Sequence, residues 1–211
     1  MLRYYWEPIL PDSASLEEVT YHMDPFYAEC RAYGRIKQGR VPGTRKLTRD
    51  VAVSCHGFLF LKDRDKELLK QRGIDLEEQY LDVQAGQIDQ ARAIVKELIP
   101  PAIGHGITSK NVRYVLSDIR CLKMLKIYNG DVRLENFMGR KLVDFGYAIT
   151  EPHCILNALD EGGKGNKEEA RDTRMTDLVM FDDMIAEEGF KTKVKGVPNQ
   201  SYRQRLRSYK S

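Results

Sequence analysis

The stretch from Asp131 to Gly146 limits the fold of this 211-residue chain more than any other. It reads Asp131-Val132-Arg133-Leu134-Glu135-Asn136, crosses Gly139-Arg140 and closes on Asp144-Phe145-Gly146. Gly139-Arg140 sits between two short β-type segments, Asn136 to Met138 and Lys141 to Val143, which predicts a tight hairpin. A hairpin fixes what its ends can do together. Asn136 starts it and Asp144 ends it, so their oxygens return to one side, where they can hold Mg²⁺ between them. The plainer alternative is that Asp131 and Asn136 cap turns and Asp144-Phe145-Gly146 only ends a strand.

The surroundings of this stretch are ordered. A helix opens at Asp24-Pro25, a side-chain oxygen at the cap and proline at the first helical position, where its missing N–H does no harm. Phe26, Cys30, Tyr33 and Ile36 form its apolar stripe, with Glu29 beside it. Val51 to Leu61 is β-rich, with a bend at His56-Gly57. Lys62 to Gln90 reads as a helix plus a polar surface insertion, and Ala91 to Ile99 as a strand stopped by Pro100-Pro101. Thr108 or Ser109 is expected to cap the clearest helix, which carries Val112, Val115, Leu116, Ile119, Leu122 and Leu125 on one face. Beyond Thr150 no pattern is visible until Met175, Leu178, Phe181 and Ile185 mark a last helix, preceded by a flexible loop at Gly162 to Gly165.

In this setting the loop and hairpin resemble the catalytic-loop and metal-loop pattern of the protein-kinase-like superfamily and, within it, fungal kinetochore subunits of the Fta type. The same resemblance is carried by Phe26 to Tyr33, by Asp118-Ile119-Arg120, by Asn129-Gly130 before Asp131, and by Thr150-Glu151-Pro152-His153. It implies an α+β, protein-kinase-like two-lobed fold: a truncated β-rich N-lobe over 1–99, a small helical C-lobe over 100–188, and a basic tail over 189–211. The hinge would lie near Glu97 to Pro101. The resemblance assigns Asp131 and Arg133 as catalytic residues, Asn136 and Asp144 as metal ligands, and Glu29, Lys96 and Glu97 as nucleotide-binding residues. Glu29 corresponds to the helix glutamate that pairs with a phosphate-holding strand lysine in active members. Asp177 matches the second-lobe aspartate that braces the catalytic loop.

The departures from that pattern are specific. Met1 to Asp24 contain neither a glycine nor a lysine, so the glycine-rich loop and the strand lysine are missing there, and Arg3 is a poor substitute for an ammonium clamp. Asn129-Gly130 replaces the usual His-Arg, and Glu151-Pro152-His153 follows the Asp-Phe-Gly almost at once. The expectation is therefore a degenerate kinase, or pseudokinase, acting as a nucleotide-related or protein-binding scaffold, with ATP and Mg²⁺ bound weakly at most. One alternative is an active phosphotransferase on a protein or small-molecule hydroxyl, as a fragment of a longer enzyme or with Arg3 and Lys46 as a non-standard grip. Another is an interaction subunit of a kinetochore or other nuclear complex.

Composition narrows the partners. Thirty-four basic against 31 acidic residues leave a net charge of +3, too little for whole-molecule nucleic-acid binding. Only the tail from Gly189 to Ser211, with seven Lys or Arg and no acid, could hold an acidic protein or nucleic acid. A protein partner is expected, and no membrane. No two of Cys30, Cys55, Cys121 and Cys154 form a Cys-x-x-Cys pair, which reads as free thiols in an intracellular, cytoplasmic or nuclear protein. His56 and His153 have no partner at metal-ligand spacing and read as structural. Tyr4, Tyr5 and Trp6 read as a packing cluster.

Overall fold

In the computed structural model, residues 15–41, 46–47, 49–74 and 91–198 are described. Arg3, the Tyr4 to Trp6 cluster, the polar insertion over 75–90, and Arg203, Arg205 and Arg207 of the tail lie outside them. The described residues form two compact units, one from those of 1–53 with those of 99–211, the other from those of 54–98. Helices combine with two-stranded antiparallel sheets, an α+β architecture. No helix among the described residues is long and apolar enough to cross a membrane.

The smaller unit is a hairpin and a helix. Strands β1 (Cys55–Phe60) and β2 (Arg92–Lys96) pair antiparallel, with an irregularity at Cys55/Gly57 where the sequence predicts a bend. Helix α3 (Asp63–Gln71) buries no residue. Phe58, Leu59 and Phe60 are all about half exposed.

The larger unit begins with α1 (Leu16–Met23), capped by Ser15, whose hydroxyl accepts the Glu18 N–H. Asp24 ends α1 and starts α2 (Pro25–Gln38), its carboxylate accepting the N–H groups of Phe26 (2.9 Å) and Tyr27 (3.3 Å). Helix α2 stops at Gly39, in the left-handed region at φ +65°, where an added Cβ would meet the Leu47 carbonyl oxygen at 2.6 Å. Glycine is required there for both reasons.

Helix α4 (Val112–Met124) buries Val112, Val115, Leu116, Ile119 and Leu122, the face expected from periodicity. Its start differs from the Thr108/Ser109 expectation. Asn111 takes that place: its side chain accepts the Thr108 N–H and donates to the Gly106 carbonyl, both at 2.8 Å, closing a turn before the helix proper. Strands β3 (Ile127–Tyr128) and β6 (Ile149–Thr150) pair across the loop, and β4 (Phe137–Met138) with β5 (Lys141–Leu142) make the predicted hairpin. Both turn residues, Gly139 (φ 54°) and Arg140 (φ 72°), have positive φ, the type I′ signature that suits a two-residue hairpin. Arg140 is held in this conformation by Asp118, which also pairs with Arg49.

Two helices appear where the sequence shows no pattern, α5 (Cys154–Glu161) and α6 (Lys164–Thr173), before α7 (Thr176–Glu187). Helix α5 is eight residues long, too short to display a period, and α6 buries only Ala170 and Asp172. Gly162 and Gly163 cap the two helices, so the expected flexible loop at Gly162 to Gly165 is a corner. Helices α4 and α7 pack together, and Tyr128, Cys154, Ile155, Leu156, Leu159 and Ala170 form a core cluster joined by Met23 of α1.

Replacing Asp24 with Ala should lower the unfolding free energy by about 1 kcal/mol, with Asp24→Ser restoring most of it. Equal urea midpoints for wild type and Asp24→Ala would show that this cap carries no weight.

Candidate functional site

The loop between β3 and β4 has no regular ladder of its own, so its backbone depends on side chains. Asp177, 5% exposed in the first turn of α7, supplies the main anchor. Its two carboxylate oxygens accept the N–H groups of Asn129 (2.7 Å) and Gly130 (2.8 Å). Asn129 then ties the loop to the far end of the hairpin: its side-chain nitrogen donates to the Asp144 carbonyl (2.7 Å), while its side-chain oxygen accepts the Asp131 N–H (3.1 Å). Asn129 is 1% exposed, and it stands where the kinase-like pattern has another residue. The sequence marks it as part of the family resemblance and as a departure from the kinase pattern, with no structural role. An asparagine can both donate and accept, and burial demands that it do so, but no spacing rule pointed to it.

Asp131 and Asn136 are bonded to each other. The Asn136 amide donates to the Asp131 carbonyl (2.9 Å) and to its carboxylate (2.8 Å). Arg133 reaches the same carboxylate at 3.1 Å, with its own side chain 60% exposed. Asp144 uses one carboxylate oxygen to accept the Gly146 N–H (2.8 Å), the local bond that turns the chain after Phe145.

Glu29 projects from α2 onto this segment. It is 9% exposed, and one oxygen accepts the Phe145 N–H at 3.3 Å. Beside it the Tyr33 and Phe145 rings meet edge to face, 5.2 Å between centroids, with Phe145 fully buried. Helix α2 is thus docked on the hairpin's end by one polar and one aromatic contact. Lys96 and Glu97 belong to the smaller unit, where Glu97 accepts the Ser54 hydroxyl at 3.0 Å.

Below the loop, Glu151 gathers Tyr128 (2.7 Å), Arg174 (3.0 Å) and Lys126 (3.2 Å). Burial pushes its carboxyl up, but the three donors outweigh burial and hold it below the usual glutamate range. Burial and the Glu151 carboxylate together raise the Tyr128 hydroxyl. A cavity of about 320 Å³ opens between α1 and the loop, lined by His22, Met23, Gly130, Gly146 and Asp177 among others.

Asn136 and Asp144 offer hard oxygen donors of the type Mg²⁺ takes, and the internal bond of Asn136 uses its nitrogen, leaving its side-chain oxygen as the donor of that type. By donor chemistry the pair fits the ion.

These features define an α+β protein whose polar loop is fixed by a helix carboxylate on one side and by a docked helix on the other. Residues 5–149 match the family of the kinetochore Sim4 complex subunit FTA2, and the chain belongs to that family. No curated protein matches the chain, and no solved structure does.

Removing the Asp177 carboxylate strands two backbone donors, so Asp177→Ala should cost about 2–5 kcal/mol, whereas Asp131→Ala, which leaves Asn136 the Asp131 carbonyl, should cost about 1 kcal/mol. Urea denaturation of both variants checks the order; a larger loss in Asp131→Ala would reverse the assignment of the anchor.

Proposed function

We propose that the chain is a protein-binding subunit of a kinetochore assembly, built on a kinase-like framework that no longer performs phosphoryl transfer. The observation that carries this reading is the family match, which spans 5–149 and therefore includes the whole polar loop and hairpin. The family's description as a kinetochore complex subunit points to protein partners and to a nuclear location.

The geometry supports a framework role for the loop. Asp131, Asn136, Asp144 and Glu29 each make bonds that hold the loop, the hairpin end or α2 in place. Such bonds rigidify a surface without any ligand. Catalysis of phosphoryl transfer depends on positioning and on electrostatic clamping of the phosphates. None of the residues Met1 to Asp24 is a glycine or a lysine, the residue types of that clamp.

A second reading is favoured by one feature. The oxygen donors of Asn136 and Asp144 suit Mg²⁺, so weak binding of Mg²⁺ with a nucleotide fits the same framework, with Asp131 near the transferred group. Under this reading Mg²⁺ would neutralise phosphate charge, while Glu29 and Phe145 would keep α2 against the site.

Labelled ATP and centromere localisation separate the two. The subunit reading expects no phosphoryl transfer near the ordinary kinase rate of about 1 per second, and recruitment of Asp131→Ala and Asp144→Ala chains to centromeres at the wild-type level. Transfer at that rate, abolished by Asp131→Ala, would overturn it and establish the phosphotransferase.

A further inference from the structure

Outside the loop, one group of side chains has the chemistry of a metal centre and no assigned task. His22 lies in the last turn of α1, and His153 and Cys154 lie at the start of α5. The sequence predicts no metal partner for His153, because His22 is 131 residues away and only the fold brings it in. One ligand atom from each of the three residues lies within 4.8 Å of the others, the one such cluster of His, Cys, Asp or Glu among the described residues. The two imidazole rings meet at 4.7 Å between centroids.

We propose that His22, His153 and Cys154 bind a zinc ion that clamps α1 to α5. Two imidazoles and a thiolate form a borderline-soft donor set that zinc accepts.

Two independent observations point the same way. The Nδ1 atom of His22 is buried and has no hydrogen-bond partner among the described residues. A buried polar atom left unsatisfied costs free energy, and a metal bond would remove that cost. His153 has the outer contact that metal-bound histidines use. Its Nε2 lies 3.2 Å from the His22 carbonyl oxygen, so an Nε2–H donated there fixes the ring and leaves Nδ1 as the ligand. Nδ1 accepts the capping bond of α5 from the Ile155 N–H at 3.3 Å, a bond that zinc at this atom would replace.

The geometry requires little movement. Bonds of about 2.0 Å to nitrogen and 2.3 Å to sulfur place tetrahedral ligand atoms roughly 3.5 Å apart, so the cluster closes by about an ångström. His22 and Cys154 both line a second cavity, of about 610 Å³, which also includes Glu18. Water or the Glu18 carboxylate can enter the fourth position from that side. Two charged groups act on the cluster, Arg31 against a cation and Glu18 for it. Cys154 binds as the thiolate and releases its proton to solvent, and that charge joins Glu18 against Arg31.

The test uses the full chain without a polyhistidine tag, stripped of metal and titrated with Zn²⁺ alone against a chromophoric chelator. One zinc per chain is expected, and X-ray absorption of the loaded protein should show one sulfur near 2.3 Å and two imidazole nitrogens near 2.0 Å. His22→Gln and Cys154→Ser, each first shown by circular dichroism to keep the wild-type spectrum, should weaken binding on the order of a hundredfold. Cys121→Ser, outside the cluster, should bind as wild type. Failure of the wild type to compete with the chelator, a zinc shell without sulfur, or undiminished binding in both folded variants would each overturn the proposal. If neither variant folds, the wild-type absorption spectrum alone decides.

Discussion

The carboxylate of Asp177 is the constraint on which the rest of the site depends. It lies on α7, held against α4 by apolar contacts, and it fixes the backbone at Asn129 and Gly130. With that backbone fixed, the Asn129 side chain spans from Asp131 to Asp144. The hairpin end is then in position for Glu29 and Tyr33 of α2. Helix packing, loop shape and helix docking form one chain of dependence, with buried polar contacts at its two ends, Asn129 to Asp177 and Phe145 to Glu29. Partly satisfied, such a network would cost more than an apolar core; satisfied, it specifies one arrangement.

Much of this was legible in the sequence. Helix α2 follows from its cap and a 3.6-residue apolar period, helices α4 and α7 from that period alone, and the hairpin from Gly139-Arg140 between short β segments. The resemblance also assigns Asp177 to brace the loop, and its bonds to the loop are present; the bond between Asn136 and Asp131 is a contact the sequence does not predict. What escaped was what periodicity does not encode. Helices α5 and α6 are too short or too polar to carry a stripe, and α1 needed the weak signal of Ser15 with Glu18 three residues on. Asn129 and the pairing of His22 with His153 depend on long-range proximity, which one sequence does not reveal.

The family assignment changes how the polar residues are understood. The chain belongs to a kinetochore subunit family, and in its structure the polar residues of the loop bond to one another and to backbone groups. Residues of the types that kinases use at the phosphates can serve here as internal fasteners, because carboxylates and amides that bind metals also satisfy backbone donors. The proposed zinc site extends this economy. It would secure α1, the element that leads into α2 through the shared cap at Asp24.

The most direct measurement of the central claim is amide hydrogen exchange at Asn129 and Gly130, followed residue by residue by NMR. If Asp177 anchors the loop, the Asn129 amide should exchange only through global unfolding, as slowly as the buried amides of α4, with Gly130 strongly protected beside it. Exchange of both amides at the rate of an open surface loop, while α4 stays protected, would contradict the account.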